Sequence, residues 1–154
     1  MKKHPLVFSI LITMLMLVFP VVSGAIISVL QLSALQGRLV QTAAFVIAGL
    51  IGLAIAKRAF GALGDVGMRR VRPLDGSRYL WFLPIVLVEA CTLFLGFGKE
   101  SDIAAVAVML AFTMAVGFAE ELYFRGIIPR ILRSNGRVFS ILLSSFLFSV
   151  GHFF

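Results

Sequence analysis

The hydrophobic and polar positions divide the chain into long apolar stretches separated by short polar connections. Five stretches are long enough, or nearly so, to cross roughly 30 Å of hydrocarbon as helices. They are Leu6–Leu30, Leu39–Ala56, Tyr79–Phe97, Ile103–Ile127 and Val138–Phe154. Strict alternation of apolar and polar residues, which is typical of membrane barrel strands, is absent. The pattern predicts an all-α fold, a polytopic membrane helical bundle with about five transmembrane helices.

Composition supports a membrane protein over a soluble one. The chain of 154 residues is 60% hydrophobic and 14% charged, with a mean hydropathy of +1.06, whereas soluble domains have about 25% charged residues. We predict one bundle. Residues 1–78 supply two spans and a basic cytoplasmic loop, and residues 79–154 carry the candidate functional motifs.

The basic residues predict the orientation of the bundle. Twelve of the 14 Lys and Arg residues lie before the first span, between the second and third spans, or from Arg125 to Arg137; Arg38 and Lys99 are the other two. The positive-inside rule makes the twelve cytoplasmic, which predicts a multi-pass plasma-membrane protein with a cytoplasmic N-terminus. The net charge of +7 then reflects contact with membrane lipid. The sequence lacks a basic patch interleaved with aromatic residues, which is the pattern that would indicate nucleic-acid binding.

The start of the chain has two interpretations. Lys2, Lys3, an apolar run and the small residues Val22–Ala25 resemble a secretory signal. The apolar run continues to Leu30, however, which favours an uncleaved first span.

Small residues form one face of the second span. Ala48, Gly49, Gly52 and Ala56 are spaced to lie together on a helix. Such faces let membrane helices approach closely, so we interpret this one as a packing surface. Cys91 is the only cysteine, which excludes an internal disulfide.

Four ionisable residues lie inside the last two apolar stretches. Glu120, Glu121 and Arg125 are in the fourth stretch and His152 is in the fifth. A charge at mid-bilayer costs roughly 2.5–3.5 kcal/mol, so groups placed there are functional candidates. Charged residues clustered at this depth must either neutralise one another or line a water-filled cavity.

Helical spacing separates the two acids. Glu121 and Arg125 are four residues apart, which favours an ion pair, while Glu120 points about 100° away and is free to exchange a proton. Counted from the cytoplasmic loop at about 1.5 Å per residue, Glu120 lies roughly 15 Å deep and His152 roughly 22 Å. Helix tilt would bring the two together. A carboxylate and an imidazole that converge in a membrane cavity can polarise water for hydrolysis.

Other interpretations of these residues stay open. His152 could be a packing residue, and the Glu121–Arg125 pair could serve only to orient a helix. Glu89, midway along the third span, could join the same cavity, relay protons or pair with Arg125.

Two motifs resemble a known family. Glu120-Glu121-Leu-Tyr-Phe-Arg125 matches the Glu-Glu-x-x-x-Arg motif of the CAAX prenyl protease and bacteriocin-processing family, also called the Abi family. Phe148-Ser-Val-Gly-His152 matches its second motif, Phe-x-x-x-His, on the next span. The resemblance covers roughly the last hundred residues, including Leu63–Arg70, which is similar to the family's cytoplasmic lead-in.

The resemblance implies a helical intramembrane endopeptidase that acts on a peptide or protein substrate at the membrane. Glu120 would activate water with help from His152, while Glu121, Arg125 and Phe148 would structure the site. The family has been interpreted both as metal-dependent and as glutamate-activated, so a divalent metal such as zinc on Glu120 and His152 remains open. Two ligands are fewer than a full tetrahedral set.

The family's third motif, His-x-x-x-Asn or Asp on a later span, is missing from these residues. The sequence stops two residues after His152, which predicts a truncated member and little activity for the 154-residue form. Two other functions remain open: a non-catalytic interaction or bacteriocin self-immunity protein of the same fold, and a proton-coupled transporter subunit that uses Glu89, Glu120 and His152.

Overall fold

The computed structural model describes residues 4–68 and 103–152, together with the single positions 83, 84, 87 and 91. Every element within these ranges is helical, so the predicted all-α fold is confirmed. The predicted third span, Tyr79–Phe97, lies outside the described residues except at those single positions, and Glu89 lies outside them altogether. The α-helices are α1 (Pro5–Leu30), α2 (Ala34–Phe60), α3 (Ile103–Glu120), α4 (Ile128–Leu132) and α5 (Arg137–Gly151). A π-helical segment joins α3 to α4 at Glu121–Ile127, and 3₁₀ turns occupy Leu63–Val66 and Arg133–Asn135.

Three helical stretches of the described residues are long and apolar enough to cross a membrane: α1, α2 and the continuous stretch Ile103–Asn135. Helix α5, the predicted fifth span, is apolar but only 15 residues long.

Helix α2 begins five residues before the predicted Leu39. The Ser33 hydroxyl accepts from the Gln36 backbone N–H, and the Gln36 side chain accepts from the Ser33 N–H. This capping box satisfies backbone donors at the helix start and fixes where the helix begins.

The fourth predicted span does not end at Ile127. Helical structure continues through the π segment, α4 and the second 3₁₀ turn as far as Asn135. The arginines at 130 and 133 made this region resemble a connection, yet Ile128, Ile131 and Leu132 are buried. Apolar residues at helical spacing therefore keep the chain helical past the apolar run.

The small-residue face of α2 packs against α3 and the π segment, as predicted. Ala48, Gly49, Gly52 and Ala56 are all buried. A Cβ placed on Gly49 would come within 3.1 Å of the Phe118 ring, and one on Gly52 within 2.7 Å of the Tyr123 ring. Only glycine allows the two elements to approach this closely. Helices α2 and α3 run in the same direction, since Arg38 near the start of α2 lies 5.0 Å from the Phe112 ring and the end of α2 lies beside the π segment.

Helix α5 runs antiparallel to α3. The rings of Phe148 and Phe124 meet edge to face, with centroids 5.2 Å apart, and Gly151 lies close to Leu17 of α1. These contacts hold the end of α5 beside the end of α3, where the candidate site forms.

Candidate active site

Glu120, at the end of α3, and His152, at the end of the neighbouring helix α5, face each other. The Oε1 atom of Glu120 lies 3.6 Å from Nε2 of His152, and the side chains are 26% and 56% exposed, respectively. This distance exceeds the 2.7–3.2 Å of a direct hydrogen bond, so the two groups are neighbours without sharing a proton. The sequence predicted that they would meet, and the distance confirms it.

The two residues lie side by side, whereas the sequence predicted an offset, with depths of roughly 15 and 22 Å. The helical stretch reaches Asn135, and α5 starts at Arg137. Glu120 and His152 are each 15 residues from these points, or about 22 Å at 1.5 Å per residue. The predicted offset arose from ending the fourth span too early, and no unusual tilt is needed.

A backbone carbonyl fixes the orientation of the imidazole. Nδ1 of His152 lies 2.9 Å from the carbonyl oxygen of Phe148, four residues earlier. A carbonyl only accepts, so Nδ1 carries the proton in this arrangement, and in the neutral ring Nε2 is the acceptor. The Phe148 ring also packs on the imidazole with a centroid separation of 4.3 Å. Phe148 therefore positions His152 through both its backbone and its side chain.

The second acid, Glu121, forms an ion pair with Arg125. Nη1 of Arg125 lies 2.7 Å from Oε1 of Glu121, so the predicted division between a paired and an unpaired glutamate holds in the geometry. The side chains of Arg125 and Glu121 are 78% and 59% exposed, respectively. The pair lines a cavity and is not a buried ion pair, so its contribution is to orient the side chains more than to stabilise the fold.

The Glu-Glu-x-x-x-Arg motif lies at a change of helix type. An α-helix was predicted here, but residues Glu121–Ile127 form a π-helix, and the Ile128 N–H donates to the Tyr123 carbonyl five residues back. Pro129 lacks an N–H and cannot bond to the carbonyl of Arg125 as a regular helix requires. Gly126 is covered by the first 3₁₀ turn, with the Val66 carbonyl oxygen 2.9 Å from the position of an added Cβ. Single π turns of this kind occur frequently at functional sites.

Tyr123 anchors the π segment to α2. Its side chain is fully buried, and its hydroxyl donates to the Ala48 carbonyl at 3.1 Å. The ring lies over Gly52. A side chain inside the motif thus holds the backbone of both glutamates against a rigid neighbour, which fixes where their carboxylates point.

A cavity of about 230 Å³ adjoins the two glutamates. It is large enough for several water molecules. Its lining consists of Gly117, Glu120, Glu121, Phe124, Arg125, Ser144, Ser145, Phe148 and Ser149. A Cβ on Gly117 would meet no atom within 4 Å, so the space beside Glu120 is open.

The serines of this cavity were not among the residues predicted from the sequence. Ser145 and Ser149 precede His152 by seven and three residues, which places all three on one face of α5. The Ser149 hydroxyl donates to the Ser145 carbonyl at 3.0 Å. The helical spacing of small polar residues before His152 was the signal that could have identified them.

The described residues do not complete a zinc site. The 3.6 Å between Glu120 Oε1 and His152 Nε2 suits two ligands of one ion, but catalytic zinc sites use three protein ligands. Within the described ranges no group of three His, Cys, Asp or Glu side chains comes together. The chemistry available from these residues is therefore that of a carboxylate and an imidazole.

Comparison with known proteins supports the resemblance in the C-terminal third of the chain. Residues 102–154 match the family model described as type II CAAX prenyl endopeptidase Rce1-like. The matched region contains both motifs. No curated protein and no solved structure matches the chain. The resemblance to the CAAX prenyl protease family is thus confirmed for these residues, and the apolar helices together with this family indicate a membrane protein.

Proposed function

We propose that this protein is an intramembrane endopeptidase in which Glu120 activates a water molecule with the assistance of His152. The observation that carries the proposal is the separation of 3.6 Å between the Glu120 carboxylate and the His152 imidazole, beside a cavity that can hold water. The match to a prenyl endopeptidase family over the same residues supports peptide-bond hydrolysis as the reaction.

The geometry suits a water held between the two side chains. With Nδ1 of His152 bonded to the Phe148 carbonyl, Nε2 is free to accept one hydrogen bond from this water, and Glu120 accepts the other. The oxygen lone pair of the water then points at the substrate. Attack on the scissile carbonyl carbon forms a C–O bond while the proton passes to Glu120. Glu120 returns that proton to the amide nitrogen as the C–N bond breaks.

Glu121 and Arg125 act as positioning residues in this proposal. Their ion pair engages the Glu121 carboxylate with the arginine, which leaves Glu120 as the base beside His152. The pair also places a guanidinium at the cavity wall, where it would face the peptide backbone of a bound substrate.

The first prediction tests Glu120 as the base. Glu120→Gln preserves size but cannot accept the proton of water, so we expect turnover to fall roughly 10²–10⁴-fold. His152→Ala should reduce turnover similarly, since it removes the second hydrogen bond to the water. The measurement is cleavage of membrane-tethered peptides by the full-length protein in liposomes.

Asp65→Asn is the matched control for this experiment. It makes the same chemical change at a carboxylate that pairs with Arg130 and does not line the cavity beside Glu120. Turnover should remain close to that of the parent. Full activity of Glu120→Gln would refute the peptidase mechanism and support a binding protein of the same fold. Transport that depends on a pH gradient would support the proton-coupled alternative.

A further inference from the structure

A second cavity lies at the turn between α4 and α5, remote from the glutamates. Its volume is about 510 Å³, and its lining is Pro129, Arg133, Arg137, Ser140 and Ile141. Two guanidinium groups and an apolar wall therefore share one concave surface at the end of the bundle. The proposed peptidase mechanism makes no use of it.

Among the residues that the structure describes, the two arginines of this cavity have no acidic partner. In the same region, Arg125 pairs with Glu121 and Arg130 pairs with Asp65. Arg133 and Arg137 are exposed, and neither forms a salt bridge within the described residues. Residues 126–154 contain no Asp or Glu at all. Within the described part of the chain the cavity thus has two positive charges without a carboxylate partner. Arginine is the side chain best suited to bind a phosphate with two parallel hydrogen bonds.

Exposed apolar side chains lie beside the cavity in the first turns of α5. Val138, Ile141 and Leu142 are 71%, 52% and 66% exposed, respectively, and Phe139 is 42% exposed. The charge is therefore at the end of the helix and the apolar side chains follow it. This order matches a phospholipid, whose phosphate lies at the membrane surface and whose acyl chains enter the hydrocarbon.

We propose that the cavity between α4 and α5 binds the phosphate headgroup of an anionic phospholipid, with Arg133 and Arg137 on the phosphate and Ile141 against the acyl chain. A basic pocket at the membrane end of neighbouring helices is the usual form of such a site. A free phosphate ion would make the same contacts with the arginines but none with Ile141. The proposal does not depend on the peptidase function.

The test begins with the protein in phosphatidylcholine liposomes that contain phosphatidylglycerol, so that its bound lipid can exchange. The protein is then extracted in detergent, and native mass spectrometry detects the lipid that it retains. We expect one retained phosphatidylglycerol per chain. A charge-assisted hydrogen bond from each arginine to the phosphate is worth roughly ten-fold in affinity, so Arg133→Gln/Arg137→Gln should weaken retention roughly 100-fold. The single variants, each expected to lose roughly ten-fold, replace the double variant if it does not accumulate.

Lys57→Gln/Arg58→Gln is the matched control. It removes the same charge from two exposed residues in the last turn of α2, at the same end of the bundle, and should leave the bound lipid unchanged. Equal losses in the two double variants would overturn the proposal in favour of diffuse surface attraction. Absence of a bound lipid in the parent would also overturn it. Displacement of the lipid by soluble glycerol 3-phosphate would show that the site binds the phosphate group without a contribution from the acyl chain, which would overturn the proposed contact with Ile141.

Discussion

At the scale of single residues, His152 shows how its surroundings prepare a side chain for chemistry. The Phe148 carbonyl fixes one ring nitrogen, the Phe148 ring limits rotation, and the other nitrogen faces Glu120. A histidine that only filled space would need none of these constraints together. The arrangement specifies a protonation pattern that can be measured without any substrate.

The second prediction concerns this pattern. In ¹⁵N-histidine-labelled protein we expect Nδ1 of neutral His152 to carry the proton and Nε2 to be unprotonated, because only Nδ1 can donate to the Phe148 carbonyl. Solid-state NMR in lipid distinguishes the two tautomers. The chain has only two histidines, so His4→Gln leaves one signal to interpret.

The control for this measurement is His4→Gln/His152→Gln, which should remove the signal and confirm its assignment. A neutral ring protonated at Nε2 would contradict the bond to Phe148. It would also remove the acceptor that the proposed water requires.

The Glu121–Arg125 pair could be predicted from sequence because it depends on local spacing. Glu121 and Arg125 are four residues apart, so their ion pair follows from any helical backbone. The Tyr123 hydroxyl bond to Ala48 could not be predicted, since the two residues are 75 positions apart. Contacts of that kind depend on how the helices dock, and they set where the glutamates point.

At the scale of elements, the π segment is positioned by helix α2. Gly52 lies under the Tyr123 and Leu122 side chains, and Gly126 lies under the backbone of the first 3₁₀ turn. The sequence predicted the small-residue face of α2 but an α-helix at Glu121–Ile127. Pro129, which lacks an N–H, and the close contact at Gly126 both accompany the π segment. Only the proline is visible in the local sequence.

The third prediction tests this contact between elements. Gly52→Ala places a methyl group 2.7 Å from the Tyr123 ring and 2.9 Å from Leu122. The ring is fully buried and has little room to move. We expect the free energy of unfolding to fall by roughly 1–3 kcal/mol, as it does at other sites where an added methyl group overfills the core. The measurement is the thermal midpoint of the detergent-solubilised protein, followed by size-exclusion chromatography.

Gly24→Ala provides the matched comparison, because an added Cβ there meets nothing within 4 Å. This variant also lies in a membrane-spanning helix and should keep the midpoint of the parent. If Gly52→Ala were equally stable, the contact between α2 and the π segment would be looser than these distances indicate.

At the scale of the whole molecule, the described parts of the connections that follow α2 and α4 lie at one end of the bundle. Asp65, which follows α2, pairs with Arg130 before α5, so the two basic regions are adjacent. Arg38 lies at the other end of α2, over the Phe112 ring. The sequence could predict this sorting because charge and span length are properties of the chain alone. The antiparallel docking of α5 on α3, which creates the cavity, required the three-dimensional structure.

The fourth prediction is the orientation of the bundle in the membrane. The end that contains the 3₁₀ turn at Arg133–Asn135 should face the cytoplasm, and the connection between α1 and α2 should face outward. The reason is that twelve of the 14 basic residues belong to the segments that the sequence assigns to the first side. In a Cys91→Ser background, Ser134→Cys and Gln31→Cys each place one thiol at an exposed position. A membrane-impermeant maleimide applied to intact cells should label Gln31→Cys, and Ser134→Cys only after permeabilisation. The opposite pattern would reverse the bundle. The arginines of the lipid cavity would then face the outer leaflet.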